Sequence, residues 1–246
     1  MDIADGYSER LCVYVDILGF KKLLGNLSPP KIQRLLTKVH KPITELAFEE
    51  DDFRVQSISD AVTMSTAVTA KGLAALIEAL EGLTFDLLSE GYFVRGALIK
   101  GPLYHDDETV FGPALVEAFR LESEVVKYPR IMVHSNVLHA AKDWLGEGYK
   151  QHIRHADDGP CFLHVLRWLE MAMMLSEPPK DYPAILLKDC QSMVQKRFRQ
   201  SIDEPRYFEK VQWFAKYWNS IVPPEPKNGI GRIKGAGTEP PAAVWG

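Results

Sequence analysis

Two short apolar stretches constrain this chain more than any other feature. They are Val13-Tyr14-Val15-Asp16-Ile17-Leu18-Gly19-Phe20 and Gln56-Ser57-Ile58-Ser59-Asp60-Ala61-Val62. Each is a β-branched run too brief for a helix, and each carries one carboxylate at its end. One aspartate after a strand signals only a turn. Two of them, far apart in the chain and in the same local setting, predict adjacent strands that share a cation site. The competing reading is that Asp16 caps the following turn and Asp60 makes a hairpin bend.

The remaining sequence supplies a frame. Leu11 to Val15 reads as a strand, Ile17 to Gly25 as a turn, and Ser28-Pro29-Pro30 as a helix start running to about Phe48. Phe53 to Ile58 and Ala61 to Val68 read as a hairpin around Ser59-Asp60. Gly72 to Ser89 is an amphipathic helix whose apolar face holds Leu73, Leu76, Ile77, Leu80, Leu83, Leu87 and Leu88. A strand from Tyr92 to Ile99 is punctuated by Gly101-Pro102, and His105 to Glu108 is a polar loop. A helix opens at Phe111-Gly112-Pro113, a strand follows at Pro129 to Val133, and a helix at Ser135 to Trp144. A late hairpin joins Tyr149–Ile153 to Cys161–Val165. The order predicts an α+β fold of the ferredoxin-like type, with a mostly antiparallel sheet and helices on one face. Three regions are expected: residues 1–166 as the main domain, 167–222 as a C-terminal helical extension, and 223–246 as a poorly ordered Pro/Gly-rich tail.

Composition excludes several classes. The chain has 246 residues, 46% hydrophobic and 25% charged, with a net charge of −4. That balance argues against a nucleic-acid partner. Cys12, Cys161 and Cys190 are odd in number and widely spaced, as reduced thiols would be. No apolar run has the length of a membrane span and no signal peptide is apparent, so a soluble cytoplasmic protein without a membrane partner is expected.

Asp16 and Asp60, if brought together, would resist joint ionisation, and a divalent cation would remove that conflict. Carboxylates suit Mg²⁺ or Mn²⁺, with substrate phosphate completing the shell. The N–H groups of Leu18, Gly19 and Phe20 could cradle a polyphosphate. The pattern points to two-metal phosphoryl chemistry on a nucleoside triphosphate.

On these motifs, from Leu11 to Val165, the sequence resembles the class III nucleotidyl cyclases. The resemblance rests on Val15-Asp16-Ile17-Leu18-Gly19-Phe20, on Ser57-Ile58-Ser59-Asp60-Ala61, on the strand Val94-Arg95-Gly96-Ala97-Leu98-Ile99-Lys100-Gly101-Pro102, and on Phe111-Gly112 followed by Arg120. It implies a catalytic set of Asp16, Asp60 and Arg120. Asp16, Asp60 and the Ile17 carbonyl would hold two Mg²⁺ or Mn²⁺ ions, and Arg120 would stabilise charge on the α-phosphate. It also implies a head-to-tail homodimer with shared sites. Departures are informative. The position of the family's transition-state asparagine falls on Val116, its purine readers fall on Gln56 and Thr109, and its late phosphate-binding lysine has no counterpart near Asp157-Asp158-Gly159. With these departures the chain looks closer to the divergent bacterial branch, the pyrimidine cyclases of Pycsar anti-phage defence. That implies conversion of UTP, or less favourably CTP, to a 3′,5′-cyclic monophosphate that acts on a downstream effector. Gln56 and Thr109 become candidate base readers, with Arg54 or Phe53 filling space a purine would occupy. Arg120 has a plainer alternative, surface pairing with Glu117 and Glu124. Lys100 reads as an exposed strand lysine and Arg95 as support for the fold or a subunit contact. The nearest rival function is a cyclase-like module that binds nucleotide without turning it over.

Overall fold

The computed structural model describes residues 6–45, 52–175 and 184–237. In chain order its elements are β1 Ser8–Ile17, α1 Phe20–Asn26, α2 Pro29–Glu45, β2 Arg54–Ile58, β3 Ala61–Ala67, α3 Ala70–Ser89, β4 Val94–His105, β5 Val110–Phe111, α4 Pro113–Arg120, a π turn Leu121–Val125, β6 Ile131–Val133, α5 Ser135–Leu145, a 3-10 segment Gly146–Gln151, β7 Ile153–His155, β8 Cys161–Leu163, α6 Arg167–Met174, α7 Ala184–Gln200 and α8 Pro205–Ile221. The last residues of the expected helix to Phe48 lie outside the described residues.

The fold is mixed α+β, as expected. Strands run in the order β2-β3-β1-β4-β6-β8-β7, with β5 paired to β4. Within the first four, neighbours are antiparallel to one another, the arrangement a βαββαβ unit produces, and β6 joins β4 in parallel. β1 lies in the middle because its run of apolar residues can be covered on both sides. Its odd residues, Leu11, Val13, Val15 and Ile17, join the main core under α3, whose predicted leucine face is buried there. Each such leucine adds roughly 1.5–3 kcal/mol. The Thr69 hydroxyl accepts from the Gly72 amide at 2.9 Å and fixes the start of that helix.

The structure departs from the sequence expectation in several places. Phe20–Asn26 is a helix in place of the expected turn, and Tyr149–Gln151 belongs to a 3-10 segment, so the strand there runs Ile153–His155 instead of Tyr149–Ile153. Helices cover both sheet faces, not one. Cys12, Ile99, Leu103, Ala114 and Ala118 form a second, smaller cluster under α4, on the face opposite α3. β4 does not stop at Gly101-Pro102 but continues to His105. β6 pairs with β4 only at Gly96–Leu98, so Pro102 faces no strand on that side and its missing N–H costs no ladder bond. The segment after α8 is packed rather than loose as far as Gly237. Ile230, Ile233 and Ala236 are buried, the Asn219 amide donates to Ile233 and Gly237 carbonyls, and the Trp218 indole donates to Gly231. The rest of the expected tail lies outside the described residues.

The extension shares the main core. Trp168 stacks on Phe85 with ring centroids 5.4 Å apart, the Cys190 thiol meets the Phe85 carbonyl, and Phe214 packs edge-on against Phe93 at 5.2 Å. All three cysteines are buried and free.

Candidate active site

Strand register brings the two aspartates to one end of the sheet. Val15 pairs with Val62, so Asp16 is one residue beyond that pair on β1 and Asp60 lies in the turn that opens β3. Ser59 takes a positive φ of 59° to make this tight turn. Its hydroxyl and the Asp60 amide both bond the Asp60 carboxylate, so Asp60 does shape the bend. Even-numbered residues of β1 point to the α4 face, which places Tyr14 and Asp16 there. Arg95 on β4 is the direct partner of Asp16 on that face.

A third carboxylate joins them. Glu122 sits in the π turn that ends α4 and is buried. It forms a close ion pair with Arg95, whose guanidinium is also 4.0 Å from Asp16. The sequence reading missed Glu122 because it looks like one more helix-surface acid beside Glu117 and Glu124. Arg95 is thus committed inside the chain. Burial, then the charge of Glu122, pushes the Asp16 carboxyl up to about 7 against the pull of Arg95, and Asp60 adds to the rise. Burial raises Asp60 and Glu122 as well.

These groups fit a hard divalent cation in one respect and limit it in another. Asp16 Oδ1 is buried with no hydrogen-bond partner, an acceptor that a cation would satisfy. Among the described residues, no three His, Cys, Asp or Glu side chains cluster as a metal set. A site here would therefore use one or two carboxylates and leave most ligands to phosphate and water, the usual habit of Mg²⁺. The Ile17 side chain is buried in the core, so only its backbone carbonyl could contribute.

The phosphate cradle expected at Leu18–Phe20 needs correction. The Leu18 amide donates to the Phe93 carbonyl at 2.8 Å, completing the end of the β1–β4 ladder, and is not available to a ligand. Leu18 and Phe20 turn their side chains into the core. Gly19, at φ +81°, makes the turn possible and leaves its own amide and that of Phe20 at the start of α1.

Gln56 and Thr109 do meet. Both line a cleft of about 580 Å³ between the β2–β3 hairpin, the 106–109 loop and α4. Tyr14, Ile58, Val110, Leu115, Val116 and Phe119 give it apolar walls, and Tyr14 meets Phe119 edge-on at 5.4 Å. The loop is held by Asp106, whose carboxylate accepts from the Glu108 and Thr109 amides at 2.9 and 2.7 Å and from the Tyr104 hydroxyl at 2.7 Å. Gln56 Nε2 donates to the Glu108 carbonyl at 2.5 Å, which fixes the amide orientation and leaves Oε1 as its acceptor. Arg54 does not line this cleft; it pairs with Asp107 at 2.7 Å.

Arg120 stands at the end of α4, exposed, with its fork on Glu117 at 2.6 and 2.8 Å and a longer contact to Glu124 at 3.4 Å. The plain alternative for Arg120 is therefore the arrangement within one chain. Lys100 lies 3.6 Å from Glu9, a surface strand pair. His164 is buried between the Tyr217 hydroxyl and Glu170, a structural network.

No family model and no curated protein matches this sequence. Solved structures do. The guanylyl cyclase domain of the RhoGC fusion protein from the aquatic fungus Blastocladiella emersonii shares 17% identity at a TM-score of 0.48, over 64% of this chain and 95% of that one. A bacterial light-regulated adenylyl cyclase shares 17% at 0.48, over 65% and 91%. The adenylyl cyclase CyaB from P. aeruginosa shares 16% at 0.44, over 63% and 91%.

Proposed function

We propose that this chain is a nucleotide cyclase that converts a pyrimidine nucleoside triphosphate, UTP before CTP, to its 3′,5′-cyclic monophosphate and pyrophosphate. The observation that carries the reading is the register that sets Asp16 and Asp60 at one sheet end, with Gln56 and Thr109 lining one apolar-walled cleft on β2 and its facing loop. The ribose 3′-oxygen attacks the α-phosphorus, its hydroxyl proton passes to solvent water, and the bond from the α-phosphorus to the bridging oxygen breaks so that pyrophosphate leaves with the electron pair. Asp16 and Asp60, with the Ile17 carbonyl, would hold Mg²⁺ or Mn²⁺. When bound, these ions acidify the 3′-hydroxyl and offset the charge of the triphosphate. Gln56 Oε1 accepts from the N3–H of uracil or the amino group of cytosine, and Thr109 meets a neighbouring polar atom of the ring. The apolar walls hold the ring and exclude water.

Arg120 acts across a homodimer. Ile58, Val116 and Phe119 leave 74%, 68% and 52% of their surface exposed beside the cleft, an apolar rim suited to a second copy. There Arg120 exchanges Glu117 for the α-phosphate of the partner's substrate, a contact suited to its planar fork. Among the described residues, no helix is long and apolar enough to cross a membrane. The cyclic product acts on a separate effector, in keeping with the resemblance to anti-phage cyclases.

One observation favours a second reading, a module that binds nucleotide without cyclising it. Arg120 is already paired and Val116 offers no polar contact. Incubation with a mixed pool of the four ribonucleoside triphosphates and Mn²⁺, followed by mass spectrometry, separates the two. Cyclic UMP or CMP supports the proposal, a cyclic purine nucleotide overturns the pyrimidine assignment, and nucleotide binding without product supports the second reading.

A further inference from the structure

α8 belongs to the C-terminal extension, yet the charge of one of its residues acts on the carboxylate cluster. The helix is fixed on both sides of that residue. Glu209 accepts from Lys127 Nζ at 2.6 Å and from the Tyr128 hydroxyl at 3.1 Å. Trp213 stacks on Tyr128 with centroids 5.5 Å apart, and Phe214 packs on Phe93. Lys210 lies between these anchors and, four residues before Phe214, shares its face. Phe93 is the residue whose carbonyl takes the Leu18 amide. Arg95 donates to the Val126 carbonyl at 3.2 Å, next to the Lys127 that holds Glu209, so this turn of α8 is tied to the end of the sheet that carries Asp16 and Arg95.

The Asp16 and Glu209 carboxylates offset the charge of Lys210 only in part, against burial and the cations Arg95 and Lys127. Lys210 makes no hydrogen bond or ion pair with any described residue, although Asp16, Glu122 and Arg95 all feel its charge. Burial, reinforced by Arg95, lowers its pKa, the reverse of what a settled ion pair does. The nearby carboxylates do not hold it, since Glu122 is taken by Arg95 and Asp16 keeps an unpartnered oxygen. What would complete this environment is a dense anion placed between the Gly19 turn and α8.

We infer that Lys210 binds the terminal phosphates of the substrate, so that the C-terminal extension completes the active site. This rests on the triphosphate reading above. A flexible ammonium suits this task, because the β- and γ-phosphate oxygens present charge without one fixed geometry. The role also explains why a helix far along the chain is anchored at three points around this side chain.

The test uses the full chain with Lys210→Ala and Lys210→Arg. Titration calorimetry with inorganic triphosphate and Mg²⁺ reads phosphate binding without turnover, and steady-state kinetics reads KM. The expected result is about tenfold to hundredfold weaker triphosphate binding and a KM raised by a similar factor in Lys210→Ala. Lys210→Arg should recover most of both, with unchanged thermal unfolding in either variant. A wild-type enzyme that turns over, with a Lys210→Ala variant equal to it in both readouts, overturns the inference alone. A wild-type protein that neither binds triphosphate nor forms product overturns the inference together with the cyclase reading.

Discussion

Asp16 and Arg95 face each other across the β1–β4 ladder, yet the Arg95 guanidinium remains 4.0 Å from Asp16 and commits to Glu122. The aspartate is left half-buried beside two other carboxylates, with one oxygen unpartnered. A folded protein tolerates such a charge at a cost in stability, and a site that recruits a cation is where that cost is expected.

The cost has a pH signature. The Asp16 carboxyl is raised to about 7 in the fold, above its unfolded value near 3.9. The fold therefore favours its protonated form, and its contribution to stability is lost as pH rises from about 4 through 7. Asp16→Asn should raise the melting temperature of the metal-free protein at pH 8, and the gain should shrink towards pH 4. Thermal unfolding at several pH values checks this, and an Asp16→Asn variant less stable than wild type at pH 8 contradicts it.

Gly96 ties β4 to β1 next to the site. A Cβ there would overlap the Val15 side chain and the Tyr14 carbonyl. Gly96→Ala should cost about 1–3 kcal/mol and should also lower turnover, because relief of the overlap displaces the strand that carries Asp16. Denaturant unfolding paired with a turnover assay measures both. Loss of stability with unaltered turnover would separate the strand from the site.

Arg120 is exposed and, among the described residues, pairs only with Glu117 and Glu124 on its own helix turn. Arg120→Ala should leave thermal unfolding unchanged and reduce turnover about a hundredfold or more. A change in rate within twofold assigns Arg120 to surface pairing.

The rim of Ile58, Val116 and Phe119 predicts association. Sedimentation velocity should show a dimer for the wild type at micromolar concentration and a monomer for Val116→Glu, which places a charge in the apolar patch. A wild-type monomer under assay conditions removes the route by which Arg120 reaches a substrate.

Asn219 is the pin of the terminal segment. Its amide donates to Ile233 and Gly237 carbonyls at 3.0 and 2.8 Å and accepts from the Ile233 amide at 2.6 Å, and both bonds to Ile233 are buried. Asn219→Ala should cost about 2–3 kcal/mol by leaving these backbone groups unpaired. Chemical denaturation reads the loss, and a cost below about 0.5 kcal/mol would mean the segment is held by Ile230 and Ile233 alone.

What the sequence made legible follows from periodicity. The alternation in β1 and β3 and the leucine face of α3 are strong signals, and they carried the α+β class, the β2–β3 hairpin and the buried face of α3. The α4 face was hidden because its contacts use Cys12, Ala114 and Ala118, which are small and carry little apolar pattern. Glu122 was hidden because only the wider π turn shows it to be buried while Glu124 stays at the surface. The Leu18 amide was misread because its partner, Phe93, is distant in sequence. Pro and Gly composition masked the buried Ile230 and Ile233, and no local pattern links Lys210 to a site built on β1.

The central claim is that Asp16 and Asp60 act together on a bound nucleoside triphosphate. Pyrophosphate release from UTP and CTP with Mn²⁺, measured for the wild type, Asp16→Asn and Asp60→Asn under matched circular dichroism, tests it most directly. The account predicts turnover by the wild type and at least a thousandfold loss in each variant with the fold retained, on the order of 4 kcal/mol of transition-state stabilisation. Turnover in either variant near the wild-type rate would contradict it.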